Sequence, residues 1–324
     1  MPKITTFNVP RIDTKSIVSR LIADEDIRSI DTELSEKETI VAHNFTRDVF
    51  QSTFSSASRW TPLTTSARGL FTSGEKIVGR GFPKFFALGE TQSEEQDMQS
   101  FTYPIQVHSK LNGFLAIAFY TEASGLIITN KSGMDNTFDT LNIANNVVKA
   151  QTELYDLLES FLSTHQDVSI TLEIIAPSHG DAHIVKYTKD RAIPLAVIDN
   201  ITGNVCPEYE QTFGIHPVKT LHNHEELKAF IEATRHNEHD LTEGYVLRGA
   251  NNFQLKLKTP FYLRAKSVRG RLAKRLPLSK AQKMSWPYGG ESWFNIAATN
   301  HITFSPEWAE KMQLMALDAT EDNA

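Results

Sequence analysis

The sequence predicts an α+β fold built mostly from antiparallel sheets flanked by helices. Three observations carry that prediction. Short extended runs crowd the middle of the chain, at 105–109, 114–120, 126–129, 170–175, 183–187, 195–198, 245–248 and 253–257. One clear helical pattern, over 143–162, interrupts them. Strands so close in sequence, without a helix between each pair, favour antiparallel neighbours over βαβ crossovers.

The first hundred residues mix helical and extended patterns, with Ser/Thr-rich punctuation around 52–58. The polar stretch 90–100 reads as an exposed loop or a frayed helix. Over 143–162, Val147, Val148, Leu154, Tyr155, Leu158, Phe161 and Leu162 recur at helical spacing and form a buried stripe. Beyond Tyr262 the pattern changes to basic, Ala/Leu-containing segments broken by Pro277 and Pro287. A small, mainly helical module is expected over 263–324.

Composition narrows the function classes. The chain has 324 residues, 40% hydrophobic and 22% charged, which excludes a disordered or collagen-like polymer. No apolar run approaches the ~20 residues of a membrane helix, and the first residues lack the apolar stretch of a signal peptide. A single cysteine, Cys206, excludes an internal disulfide and any multi-cysteine zinc site. A soluble, cytoplasmic protein is expected. The 33 basic and 39 acidic residues give a net charge of −6, yet eight basic residues and no acidic ones fall within 264–283. That block is either a solvated face or a phosphate-contacting surface, because neutralising phosphates needs local rather than net positive charge.

Several phosphate-handling devices are absent: no GxxxxGK[ST] loop and no GxGxxG fingerprint occurs. No HExxH pair and no GxSxG elbow occurs either. His222, His224, His236 and His239 crowd one polar region, and they read as surface histidines because no cysteine joins them and the spacing is loose for zinc.

Lysines and glutamates offer another device. Lys110 ends one extended run, Asn112-Gly113 follows, and a second run starts at Phe114. Asn-Gly by itself is a hairpin signal. Downstream come Lys131-Ser132, Glu173 inside an apolar run, Glu243-Gly244 at the start of another strand, and Lys256-Leu257-Lys258, whose alternation turns both ammonium groups to one side. Singly, each has an ordinary reading: Glu173 as a partnered core carboxylate, the lysine pair as an exposed strand face. In order, they form the signature of covalent nucleotidyltransferases.

The ordered set resembles the RNA ligase 1 family of T-even phages across residues 68–262. Ala67-Arg68-Gly69-Leu70-Phe71 and the segment 79–86 are similar to the family's segments before the nucleophile. Glu173 with Ile184-Val185-Lys186-Tyr187 is similar to its third motif, and Lys256 through Tyr262 to its last. Leu172 stands where the family usually has an aromatic, and Ala182-His183 where it often has Asn-Arg. The resemblance implies an adenylyltransferase domain over 1–262, with an extension over about 1–60, and the small basic module after it. It also implies a monomer that, if phage-encoded, works in the host cytoplasm.

The implied chemistry is ATP-dependent joining of RNA 5′-phosphate and 3′-hydroxyl ends through a lysyl-AMP and an adenylylated RNA end, with cleaved tRNA as a substrate. A free lysine, with a pKa of about 10.4, is almost wholly protonated at neutral pH, so a nucleophilic one needs cationic or desolvating surroundings. The resemblance gives Lys110 the nucleophile's role, sets Lys256 and Lys258 around the α-phosphate, and assigns Lys84 and Lys131 to phosphates or RNA ends. It sets Arg68 near ribose or phosphate and Tyr262 near the nucleotide. Glu243 would orient Mg²⁺ or Mn²⁺, and Glu173 would meet the ribose or the metal's water shell. The enzymatic alternatives are a DNA ligase or a GTP-dependent capping enzyme; the non-enzymatic one is an RNA-binding protein with a dead transferase domain.

Overall fold

The computed structural model describes residues 14–266, apart from 56, 135–138, 180–182, 186 and 264. The expected helical module lies, beyond residue 266, outside the described residues.

The chain opens with α1 (Thr14–Ala23) and four strands, β1 (Ile27–Thr32), β2 (Ile40–Phe45), β3 (Arg68–Ser73) and β4 (Lys76–Arg80). These strands form an antiparallel meander in chain order. Helix α1 buries Ile17, Val18 and Leu21 beside Ile27, Leu70 and Ile77, so residues from 14 onward share one core with the Arg68 strand. Between β2 and β3 lie α2 (Arg47–Gln51) and α3 (Pro62–Ser66). Helix α3 starts at a reciprocal Thr61/Thr64 cap with Pro62 in its first turn.

Next come β5 (Phe86–Ala87), α4 (Glu94–Gln99), β6 (Ile105–Lys110), β7 (Phe114–Thr121), β8 (Gly125–Asn130), α5 (Thr140–Ala150) and α6 (Thr152–Thr164). The order ends with β9 (Val168–Ile175), β10 (Arg191–Asp199), β11 (Lys219–Leu221), α7 (His224–His236), β12 (Gly244–Gly249) and β13 (Gln254–Lys258). Two further sheets result, in the orders β10-β9-β7-β8 and β11-β6-β12-β13-β5. Every pairing is antiparallel except β13 with β5.

Alternation decides which face each sheet buries. In the four-stranded sheet, Ala116, Ala118, Ile170, Leu172 and Ile174 pack on Val147, Val148, Leu158 and Leu162 of α5 and α6. The other face sets Ile117 and Phe119 against Ile40, Ala42 and Phe71 of the meander, with the Phe71 and Phe119 rings stacked at 5.4 Å. In the five-stranded sheet, Ile105, Val107, Leu247, Leu255 and Leu257 pack on Leu227 and Ile231 of α7 and Met98 of α4. Each such apolar side chain contributes roughly 1.5–3 kcal/mol on burial, and a one-residue slip would turn all of them outward. The lysines therefore occupy the opposite face.

Four details differ from the sequence reading. The helix expected over 143–162 is two helices, broken at Gln151, whose side chain bonds both the N–H and the C=O of Ala192 on β10. The expected strand 183–187 has no ladder among its described residues; the N–H of Val185 bonds the Asn112 side chain instead. The stretch 90–100 contains a capped helix, α4, with Asp97 and Met98 buried. Finally, β6 and β7 belong to different sheets, so 111–113 bridges two layers rather than turning a hairpin.

Candidate active site

Strand β6 ends at Lys110, and register sets Gly244 of β12 between Lys110 and Lys258 of β13. Gly244 has φ 135°, and a Cβ there would come 2.1 Å from the Leu257 carbonyl oxygen. Glycine is required to carry the chain into β12 this close to its neighbour. Glu243, just before it, is buried, and its Oε2 lies 2.9 Å from Lys110 Nζ. Asn112 Nδ2 donates to the same oxygen at 3.0 Å. The Asn112 Oδ1 accepts the Val185 N–H, and the Asn112 N–H donates to the Tyr187 hydroxyl. One buried asparagine thus ties the lysine's loop, its carboxylate partner and the 183–187 segment together.

Gly113 approaches β9 so closely that a Cβ would lie 2.1 Å from the Ile174 carbonyl oxygen. Its N–H donates to Glu173 Oε1 at 2.8 Å. Burial raises the Glu173 pKa to about 7, against the lowering influence of Lys110 and the Gly113 amide; Glu243 raises it further. Those mutual influences bring Lys110, Glu173 and Glu243 into one electrostatic cluster.

The cations converge from three directions. Lys256 Nζ donates to the Phe85 carbonyl at 2.9 Å and lies over the Phe85 ring. Lys84 Nζ donates to the same carbonyl at 3.2 Å and sits 3.7 Å from the Phe86 ring centroid. Phe86 is held in turn by Trp60, whose indole N–H bonds Thr53. Burial, then Lys84, Arg68 and Lys110, pushes the Lys256 pKa down to about 6. Burial lowers Lys84 to about 8, with Arg68 and Lys258 adding to it. Lys258, over the ring of buried Tyr262, is also lowered to about 8, by burial and then Lys266. Arg68 donates to the Phe82 carbonyl; burial lowers its pKa and Glu173 opposes that. Desolvation, then Arg68 and Arg28, lowers the Lys131 pKa as well. A set of cations crowded until some lose protons is a site prepared for polyanionic phosphate.

A hard divalent cation suits the carboxylate pair. Glu173 and Glu243 are oxygen donors that repel each other beside Lys110, and a cation held through water would relieve that repulsion. Among the described residues, no group of three or more His, Cys, Asp or Glu gathers, here or elsewhere, so the candidate cation site is a pair of carboxylates. His224 and His236 sit at the two ends of α7 beside Glu95 and Glu232 and form no metal cluster.

Sequence reasoning missed Asn112, Trp60 and the Phe85 carbonyl. Asn112 stood in the ordered motif and in a turn signal but was given no role of its own, and a backbone oxygen leaves no mark in sequence. Leu172 is fully buried on the α5/α6 side of β9, opposite Glu173, so that departure from the family pattern falls in the core.

No curated protein matches the chain. A structure described as an archaeal ATP-dependent RNA ligase, form 1, is similar with a TM-score of 0.52 and 15% identity, covering 94% of this chain and 76% of that one. A second form gives 0.50 and 14%, with the same coverage. A putative ATP-dependent DNA ligase from Aquifex aeolicus gives 0.52 and 12%, covering 94% and 78%. At such identities these likenesses show a shared fold. The family model for RNA ligase matches residues 66–262, which include every candidate residue from Arg68 to Tyr262. The chain belongs to that RNA ligase family.

Proposed function

We propose that this RNA ligase works through Lys110, which attacks the α-phosphorus of ATP. The observation that carries the reading is the 2.9 Å contact between Lys110 and Glu243, with Lys258 one strand beyond Gly244. An Nζ–P bond forms, the bond to pyrophosphate breaks, and the ammonium proton has a carboxylate acceptor already in contact. Lys256, Lys258 and Lys84 carry the phosphate charge, while Arg68, Lys131 and Tyr262 hold the rest of the nucleotide or the RNA end. A divalent cation, Mg²⁺ or Mn²⁺, held by Glu173 and Glu243 would neutralise charge on the leaving pyrophosphate.

The AMP then passes from Lys110 to an RNA 5′-phosphate, and a 3′-hydroxyl displaces it to seal the strand. ATP as the nucleotide agrees with the archaeal and Aquifex proteins, each described as ATP-dependent. Cleaved tRNA as the natural substrate rests on the family resemblance, as do monomeric action and a cytoplasmic location. The described residues include no helix long and apolar enough to cross a membrane.

The test is labelling with α-³²P ATP and a divalent cation after stripping bound AMP. Wild type should acquire acid-stable label and Lys110→Ala none; an unlabelled wild type would refute the proposal. GTP in place of ATP, then 5′-phosphorylated RNA against DNA, separates the capping-enzyme and DNA-ligase alternatives.

A further inference from the structure

We propose that Trp60 is a positioning residue that fixes the charged end of Lys84 for phosphate contact; this rests on the reading of Lys84 as a carrier of phosphate charge. Lys84 is held twice by the segment that Trp60 opens. Its backbone N–H donates to the Thr65 carbonyl of α3 at 2.7 Å. Its Nζ lies 5.5 Å from the centre of the Trp60 ring, as well as over Phe86. The acceptor that meets this ammonium is the Phe85 carbonyl at 3.2 Å, which it shares with Lys256. An ammonium carries three N–H groups, so two aromatic faces supply what one shared carbonyl does not.

Trp60 is itself fixed on several sides. It is buried, and its indole N–H donates to the Thr53 hydroxyl at 3.0 Å. Its ring meets Phe45 and Phe86 edge-on, at 4.8 and 5.3 Å, and Val49 of α2 closes the cluster. Trp60 directly precedes Thr61, the N-cap of α3, so what places its ring also places the carbonyl that anchors the Lys84 backbone.

Aromatic faces favour the charged form of an amine. Burial lowers the Lys84 pKa to about 8; Glu90 opposes that, while Arg68 and Lys258 add to it. Lys256, on the same carbonyl, is the remaining cation beside it. An amine this close to its titration point changes charge for a small change in stabilisation. Removing the indole should lower the Lys84 pKa further, by roughly half a unit to one unit on the scale of a cation–π contact. Bound triphosphate restores the proton, so the loss falls on ATP binding rather than on the chemical step.

The experiment measures ATP affinity and single-turnover self-adenylylation against pH for wild type, Trp60→Leu and Trp60→Phe. Leucine keeps an apolar wall without a π face; phenylalanine keeps the face. The Kd of Trp60→Leu for ATP should match wild type near pH 6.5 and rise about three- to tenfold by pH 9. The labelling rate at saturating ATP should stay close to wild type, and Trp60→Phe should recover most of the lost affinity. In a Lys84→Met background, Trp60→Leu should add less than about twofold, because the two residues act as a unit. A loss of equal size at every pH, a loss undiminished without Lys84, or no rescue by phenylalanine would overturn the assignment and leave Trp60 a packing residue. Should the Trp60 variants not fold, the Trp60 indole N–H resonance of wild type decides. It should follow a titration near pH 8 that Lys84→Met abolishes, and it should move on adding ATP; a resonance indifferent to both overturns the proposal. A wild type that binds ATP without labelling would instead indict Lys110, and the affinity measurements still read Trp60.

Discussion

Lys84, Lys256 and Lys258, with pKa values lowered to about 8, 6 and 8, make the site a measurable proton acceptor. Triphosphate binding restores their charge, so ATP binding without divalent cation should take up protons. At pH 8, Lys256 is neutral and Lys84 and Lys258 are half titrated. Calorimetry in two buffers of different ionisation enthalpy should therefore show net uptake that declines toward pH 6; an uptake of zero at pH 8 would contradict the assignment. The same shift bears on stability. Lys256 has a folded pKa of about 6 against an ordinary 10.5, so across that window the unfolded chain binds more protons and stability rises with pH. The cost of the buried ammonium is fully present below pH 6 and gone above the ordinary value. Lys256→Met should therefore raise the melting temperature at pH 6, by roughly 2–4 °C for each kcal/mol relieved, with the gain shrinking toward pH 10. Adenylylation should fall by about 100-fold or more, the usual scale for removing one charge-stabilising donor. Melting curves across pH and single-turnover labelling check the two halves separately.

At the scale of elements, the candidate site residues were legible because each motif binds chemistry to spacing: Lys256 and Lys258 must share a face whatever sheet holds them. What joins the motifs was not legible. Nothing local distinguishes Asn112-Gly113 as a bridge between sheets from Asn-Gly as a hairpin; only the partners of β6 and β7 decide that. The apolar alternation of 183–187 looked like a strand, but its Val185 amide and Tyr187 hydroxyl serve Asn112 instead. Gln151 sits within a continuous helical pattern, and the break there exists because β10 offers Ala192 as a partner. These two connections predict opposite phenotypes. Gly113→Ala pushes a Cβ into the Ile174 carbonyl and displaces the amide held by Glu173, so labelling should fall on the order of 100-fold, as displacements of about 1 Å near a reacting group do. Gln151→Ala leaves Ala192 groups unsatisfied, which costs about 1–3 kcal/mol of stability, while labelling per folded molecule is retained. Denaturant melts and labelling of both variants separate them; equal catalytic losses would show that Gln151 reaches the site after all.

For the whole molecule, the decisive quantity is where its positive charge lies, since a net charge of −6 gives no general attraction to RNA. The cations of the candidate site are partly buried and close together, which suits a compact group of phosphates better than a long backbone. The eight basic residues within 264–283 are the other concentration, and the stretch begins beside the site: Lys266 is exposed and its charge helps lower the Lys258 pKa. The segment is therefore the candidate contact for the backbone of a bound RNA. Each phosphate neutralised releases a counterion, so the logarithm of affinity falls with the logarithm of salt by about 0.7 per contact on single-stranded RNA. Changing Arg271, Lys274, Arg275 and Lys280 together to glutamine should make that slope shallower by about 3 if all four meet phosphates. Affinity at low salt should drop, and lysyl-AMP formation should stay as in wild type because none of the four is among the candidate nucleotide residues. Binding titrations at several salt concentrations measure the slope. An unaltered slope would return the segment to an ordinary solvated surface and leave RNA holding to the residues around Lys84 and Lys131.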